Sequence, residues 1–179
     1  MHGKGESIMG QKLWRILAGA FLVSLVLYGC ISGKKSMGGT PVAEILYHGS
    51  DCGFRSDAPF GLWIGGASDF SRLEADGSLL CETVRQRLED VDFNRGGVLL
   101  LGMGMQKTGG YGIRLASTDL EFSGDTAIVR LRLIRPSPGS RVTQALTWPC
   151  ILIGIPHGEY RHVQAMDDAG RLMVKTRIH

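Results

Sequence analysis

His48, Asp51 and Cys52 fall close together beside a Gly49-Ser50 turn signal. These are the residue types of a cysteine hydrolase. A thiolate nucleophile, however, needs a base within hydrogen-bond reach and a third group to orient that base. Adjacency in sequence supplies neither, so the residues read as a structural cysteine beside a turn. Gly102-Met103-Gly104-Met105-Gln106-Lys107-Thr108 resembles a phosphate-binding loop only at Lys107-Thr108. The two glycines that loop requires fall on Leu101 and Gln106, and no helix follows to present its N-terminus to a phosphate. Gly102-Met103-Gly104 also lacks the third glycine of a dinucleotide loop. His157 and His162 have no evident third ligand, so no metal site is assigned. Glu89, Asp90 and Asp92 cluster at a helix end, where acids are solvated. No G-x-S-x-G elbow occurs. The sequence therefore predicts no catalytic residues, no cofactor and no small-molecule substrate.

One loop stands apart: Gly104-Met105-Gln106-Lys107-Thr108-Gly109-Gly110-Tyr111-Gly112. Gly109-Gly110 permits the positive φ that a tight irregular loop needs. Met103, Met105 and Tyr111 set adaptable apolar groups beside it, suited to contact with a protein. Thr108, Gly109, Gly110 and Tyr111 are the candidate partner-binding residues, with Trp148 of Thr147-Trp148-Pro149 and the Pro136–Gly139 turn beside them.

The elements that must position this loop read mostly as strands. Val42–His48, Phe60–Ile64, Val98–Met103, Gly112–Ser117, Thr126–Ile134, Cys150–Ile155, His162–Met166 and Arg171–Arg177 have strand composition. In Thr126–Ile134, Val129, Leu131 and Leu133 alternate with Arg130 and Arg132, which predicts one buried and one wet face. Asp167-Asp168-Ala169-Gly170 is a hairpin turn. Ser68 is a candidate cap for a helical turn through Leu73. Leu80, Val84 and Leu88 recur at helical spacing, so an amphipathic helix is expected over about Leu79–Asp90, packed on one sheet face. The predicted fold is mainly β (α+β): an antiparallel β-sandwich or barrel-like domain with one amphipathic helix.

Length and composition agree with one such domain. The chain has 179 residues, 44% hydrophobic and 21% charged, which excludes wholesale disorder. Its 26 glycines lack a three-residue period, which excludes collagen. The formal charge of +3 shrinks to +1 beyond Gly29, with 17 Lys/Arg against 16 Asp/Glu, scattered along the chain. No nucleic-acid partner is expected from such a distribution.

The N-terminus reads as an address. Ile16–Leu27 is uncharged, follows Lys12 and Arg15, and has the length of a signal h-region rather than of a membrane span. Met9 is an alternative start. Leu27-Tyr28-Gly29-Cys30 resembles a bacterial lipobox, with Tyr28 where the pattern prefers a small or aliphatic residue. The expected organisation is a signal peptide over 1–29, a lipidated Cys30 with a polar tether over 30–41, and one β-rich domain over 42–179. Lipidation would place the protein in the bacterial cell envelope, attached to a membrane through Cys30. Ile31, rather than Asp, implies the outer membrane. Export permits one disulfide among Cys52, Cys81 and Cys150. All three pairings are open. Cys52 with Cys81 is the candidate pair, because Cys150 opens an apolar strand and reads as a small buried hydrophobe.

From Val91 to Ile155 the chain resembles the C-terminal domain of the PrcB family, accessory lipoprotein subunits of bacterial surface protease complexes. The matching residues are Asp92-Phe93, Val98–Leu101, Gly104, and Thr108-Gly109-Gly110-Tyr111-Gly112-Ile113. Pro136-Ser137-Pro138-Gly139, Val142–Thr147, Pro149 and Ile155-Pro156 follow in order. Cys150 stands where an aromatic often follows the proline. The resemblance, over a core of about 91–156, implies a non-catalytic, envelope-anchored partner that binds or stabilises a protease. Thr108-Gly109-Gly110-Tyr111 is also similar to the Thr-Thr-Gly-Tyr/Phe loop of chagasin-type inhibitors of cysteine peptidases. Gln106-Lys107 replaces the Asn-Pro that precedes that loop. This second likeness implies an alternative, inhibition of a cysteine peptidase through Thr108–Tyr111.

Overall fold

A computed structural model of the protein describes residues 41–75 and 80–178. The signal segment, Cys30 and the tether as far as residue 40 lie outside them, as does Leu79 at the expected start of the helix. The described residues belong to one unit, Gly39–His179. They build two packed sheets and two short helices, with no closed barrel among them.

The first sheet contains β1 (Glu44–Gly49), β2 (Phe60–Ile64), β3 (Gly96–Gly102) and β7 (Cys150–Pro156), in the order β1-β7-β3-β2, all antiparallel. Its central strands β3 and β7 carry unbroken apolar runs because both faces are covered. Leu99, Leu101, Ile151 and Ile153 enter the core between the sheets, while Val98, Leu100 and Leu152 enter a second core on the other side. Two glycines of β3 are dictated by aromatic rings of β2. A Cβ at Gly97 would lie 2.2 Å from the Trp63 ring, and one at Gly102 2.1 Å from the Phe60 ring. Each fully buried Leu or Ile contributes about 1.5–3 kcal/mol. Exposed ion pairs such as Arg72–Asp69 contribute about 0–1 kcal/mol, so the two cores hold the domain.

The helices α1 (Ala67–Ala75) and α2 (Glu82–Glu89) cover the second core. Two helices replace the one expected. The turn at Ser68 runs on to Ala75, because Phe70 and Leu73 both pack into that core. Asp69 steadies its start by accepting the Gly65 N–H at 2.9 Å. The helix expected over Leu79–Asp90 is shorter, with Cys81 at its N-cap. Val84 and Leu88 are buried, Leu80 packs beside them, and Glu82, Arg85 and Glu89 pair on the exposed side.

The second sheet contains β4 (Gly112–Leu115), β5 (Glu121–Ser123), β6 (Thr126–Ile134), β8 (His162–Met166) and β9 (Leu172–Arg177). β4 and β5 share one edge of β6, and β8 takes the other, followed by β9. The alternation in β6 is as read: Val129 and Leu131 are buried between the sheets and Arg132 is exposed. One pairing departs from an all-antiparallel arrangement, since β6 and β8 are parallel. The intervening strand β7 belongs to the other sheet, so the chain re-enters in the same direction. The β8–β9 turn is held by Asp167, whose carboxylate accepts the N–H groups of Ala169 and Arg171 and the Arg171 guanidinium. Gly170 supplies the positive φ of +76°.

The expected Cys52–Cys81 pair is corrected. Cys52 is bonded to Cys150, Cα atoms 6.1 Å apart, and Cys81 is free. Register explains the choice: Gly49 at the end of β1 lies opposite Cys150 in β7, so the chain just beyond Gly49 returns over Cys150. The Cys81 N–H does reach the Cys52 carbonyl at 2.8 Å. The Cys81 thiol instead keeps company with the Tyr47 hydroxyl, whose pKa is raised first by burial and then by that neighbour. Cys150 is buried as expected, at 1% exposure, but as half of a disulfide.

Candidate partner-binding surface

The loop between β3 and β4 is shaped from its first residue. Gly104 has φ of +75°, and a Cβ there would lie 2.7 Å from the Ala58 backbone. Only glycine meets both demands. Gln106 then forms a two-way backbone bridge with Thr147, at 2.8 and 3.0 Å. The Gly109 N–H donates to the Thr143 carbonyl at 2.9 Å. The Thr147 hydroxyl donates to the Thr108 carbonyl at 3.0 Å. Gly110, at φ +84°, sits beneath Val142 and Pro136. Residues 106–110 therefore lie along residues 136–147 rather than standing clear of the sheet. Two segments read separately from sequence form one surface, and the Pro136–Gly139 turn continues it.

Tyr111 is half-buried and packs against the core between the sheets. It also lines a cleft of about 490 Å³ with Pro59, Met103, Leu133, Arg135 and Met173. Trp148 is half-buried too. Its backbone N–H donates to the Ser50 carbonyl at 2.9 Å, and the Arg55 guanidinium lies 4.7 Å from its ring centroid. Asp51 pairs with Arg55 at 3.7 Å, so the residues after β1 support the tryptophan from below. Leu146, at 55% exposure, and Met105, at 37%, are the large apolar groups the surface presents. Arg55 had no signal in the sequence, and Thr143 and Leu146, though inside the Val142–Thr147 match, were not singled out as contact residues, because these roles arise from long-range pairing.

The cysteine-nucleophile reading ends at Cys52, which is fully buried and oxidised. His157 and His162 serve different partners: Nε2 of His157 lies 3.1 Å from the Phe93 carbonyl, and Nδ1 of His162 lies 3.4 Å from Asp125. Among the described residues no group of three or more His, Cys, Asp or Glu is placed to hold a metal ion. Asp92 is engaged locally, accepting the Asn94 N–H at 3.0 Å.

Residues 98–156 match the family model described as PrcB C-terminal. That segment is similar to a PrcB C-terminal domain. It spans about a third of the chain. It begins within β3, ends with β7 and contains both paired loops and Pro149. Strands β1, β2, β8 and β9 and both helices lie outside it, as does the Asp92-Phe93 pair of the expected core. No curated protein and no solved structure matches the chain. The PrcB segment is thus completed by strands from both sides: β1 and β2 on the edges of its β7–β3 pair, β8 and β9 beyond β6. The disulfide joins it to the residues that follow β1 and fits an extracytoplasmic domain. Among the described residues no helix is long and apolar enough to cross a membrane.

Proposed function

We propose that the protein is a non-catalytic envelope lipoprotein, anchored through Cys30 in the outer membrane, that docks a secreted or surface protease as an accessory subunit. The docking surface is the pair of loops 104–111 and 142–149. The observation that carries this reading is the set of backbone and hydroxyl bonds joining Gln106, Thr108 and Gly109 to Thr143 and Thr147, inside the PrcB segment. Such bonds order the loops before a partner arrives, so little conformational entropy remains to be lost on binding. Exposed Leu146 and Met105 then supply apolar contact at a surface framed by Trp148 and Tyr111. A loop that lies flat suits a broad docking surface better than a wedge inserted into a peptidase cleft.

Affinity capture tests this. The full chain is immobilised and exposed to secreted and envelope fractions, beside a Met105→Ser/Leu146→Ser double variant and a Phe122→Ser control from a different exposed site. A protease held by wild type and control but lost by the double variant supports the reading. A protease held equally by all three removes the loops from the contact. Capture of no protease removes the accessory role, and inhibition of a papain-like peptidase by the chain would replace it.

A further inference from the structure

The outer face of the second sheet gathers cations that are dispersed in sequence. The inward residues of this sheet are Val129 and Leu131 of β6, Val163 and Ala165 of β8, and Val174 of β9. Their alternates face outward: Arg130 and Arg132, His162 and Gln164, Lys175 and Arg177, with Arg114 on β4. Arg114 and Arg132 are direct cross-strand partners. Like charges placed opposite one another destabilise a sheet. The fold neutralises some of this charge but not the rest. Glu121 holds Arg130 through two bonds of 2.9 and 2.7 Å, and Asp125 faces His162 at 3.4 Å. Arg114, Arg132, Lys175 and Arg177 are exposed and have no acidic partner among the described residues.

The register gives the size of the patch. From β4 to β9 is three strand spacings, roughly 14 Å. Lys175 lies in line with Ile128, and Arg177 with Thr126, so the distance along the strands from Arg177 to Arg132 is roughly 20 Å. Among the described residues no helix covers the patch, since both helices pack on the first sheet. Half-buried Ile128 and Ile134 and the exposed Leu172 lie among the cations. One small anion cannot reach all four positions together. An extended anionic plane can, and it needs no fixed pairing geometry.

We propose that this face is a contact surface for an anionic lipid bilayer. It goes beyond the protein-docking reading, and it requires neither the paired loops nor lipidation of Cys30. The four cations add electrostatic attraction to anionic headgroups, and Leu172 reaches the headgroup boundary from the rim.

Vesicle co-sedimentation of the full chain tests the proposal. Phosphatidylcholine vesicles are compared with phosphatidylcholine–phosphatidylglycerol vesicles, and the reading is the gain in partitioning that phosphatidylglycerol brings. That gain is expected to fall as salt rises. It should fall about fivefold for each cation removed, in Arg114→Gln/Arg132→Gln and in Lys175→Gln/Arg177→Gln. Arg87→Gln/Arg95→Gln removes the same charge from exposed positions off this face and should leave the gain intact. Thermal melting should show Arg114→Gln/Arg132→Gln at least as stable as wild type, since it removes a repulsion. An equal loss in the Arg87/Arg95 variant would reduce the effect to net charge and overturn the proposal. So would a gain unchanged in both face variants, or no gain in the wild type, which would leave the face to an acidic protein.

Discussion

The Thr147 hydroxyl donates a hydrogen bond to the Thr108 carbonyl at 3.0 Å, tying together two loops 39 residues apart. The acceptor is partly buried, so its loss is not fully repaid by water. Thr147→Val keeps the side-chain shape and removes the donor. It should cost about 1–2 kcal/mol. Amide exchange at Gly109 and Gln106, both bonded across the same seam, should accelerate while exchange in β3 does not. Unchanged exchange at Gly109 would show that the backbone bridge alone holds the loop.

The disulfide joins two residues 98 positions apart in sequence. On the chain-entropy account a loop of about that length is stabilised by roughly 4–5 kcal/mol, and loss of a native disulfide commonly costs about 2–5 kcal/mol. Cys52→Ala/Cys150→Ala should lower the urea midpoint accordingly. Cys81→Ser should cause no loss of that size, since Cys81 is outside the disulfide and serine is a favoured residue at the N-cap of α2. Peptide mapping under non-reducing conditions should recover Cys52 linked to Cys150. A peptide linking Cys52 to Cys81 would contradict the pairing.

Asp167 is nearly inaccessible, at 2% exposure, yet it is held ionised. The Arg171 N–H is the main cause of its lowered pKa, helped by the Arg171 guanidinium and the Ala169 N–H. A depressed carboxyl stabilises the fold above its unfolded pKa, about 3.9, and loses that contribution as pH falls through the lower folded value. Asp167→Asn should therefore melt below wild type at neutral pH, with the gap narrowing below about pH 4. A gap independent of pH would show that packing of the β8–β9 turn, not ionisation, is what Asp167 provides.

At the alkaline end the sensitive group is Tyr160. Burial pushes its pKa up to about 12, and its hydroxyl donates to the Pro156 carbonyl at the end of β7. An unfolded tyrosine ionises near pH 10. Stability tied to Tyr160 is full below about pH 10 and is lost as pH climbs toward 12. Tyr160→Phe should be less stable at neutral pH, because Pro156 loses its donor, but should melt with a flatter dependence above about pH 10. Equal slopes for the two proteins would assign alkaline unfolding to other groups.

Local pattern carried much of this fold. The alternation through Val129, Leu131 and Leu133 announced a strand with one wet face, and β6 spans the nine residues expected. The apolar runs of β3 and β7 announced strands covered on both sides, and Asp167–Gly170 announced its hairpin. Pairings between distant segments were not legible. Nothing near Cys52 distinguishes Cys150 from Cys81, because the choice depends on β1 lying beside β7. The parallel β6–β8 pair depends on β7 crossing to the other sheet. Arg114, Arg132, Lys175 and Arg177 looked scattered because four-strand order, not sequence distance, makes them neighbours. The loop glycines signalled an irregular backbone, but not that Thr143 and Thr147 would be the groups it lies against.

The Cys52–Cys150 bond also has a mechanical meaning. Suppose the domain is pulled between Pro41 and Ile178, its first and last described residues. The load enters through β1, crosses the sulfur–sulfur bond and leaves through β7, β8 and β9. Residues 53–149 hang from that line as a closed side loop and carry no tension through their own backbone. Both helices, strands β2 to β6 and the two loops paired at Thr108 and Thr147 fall within the loop. A tug at either end can peel β1 from β7 or shear β8 from β6 before it strains the loop surface.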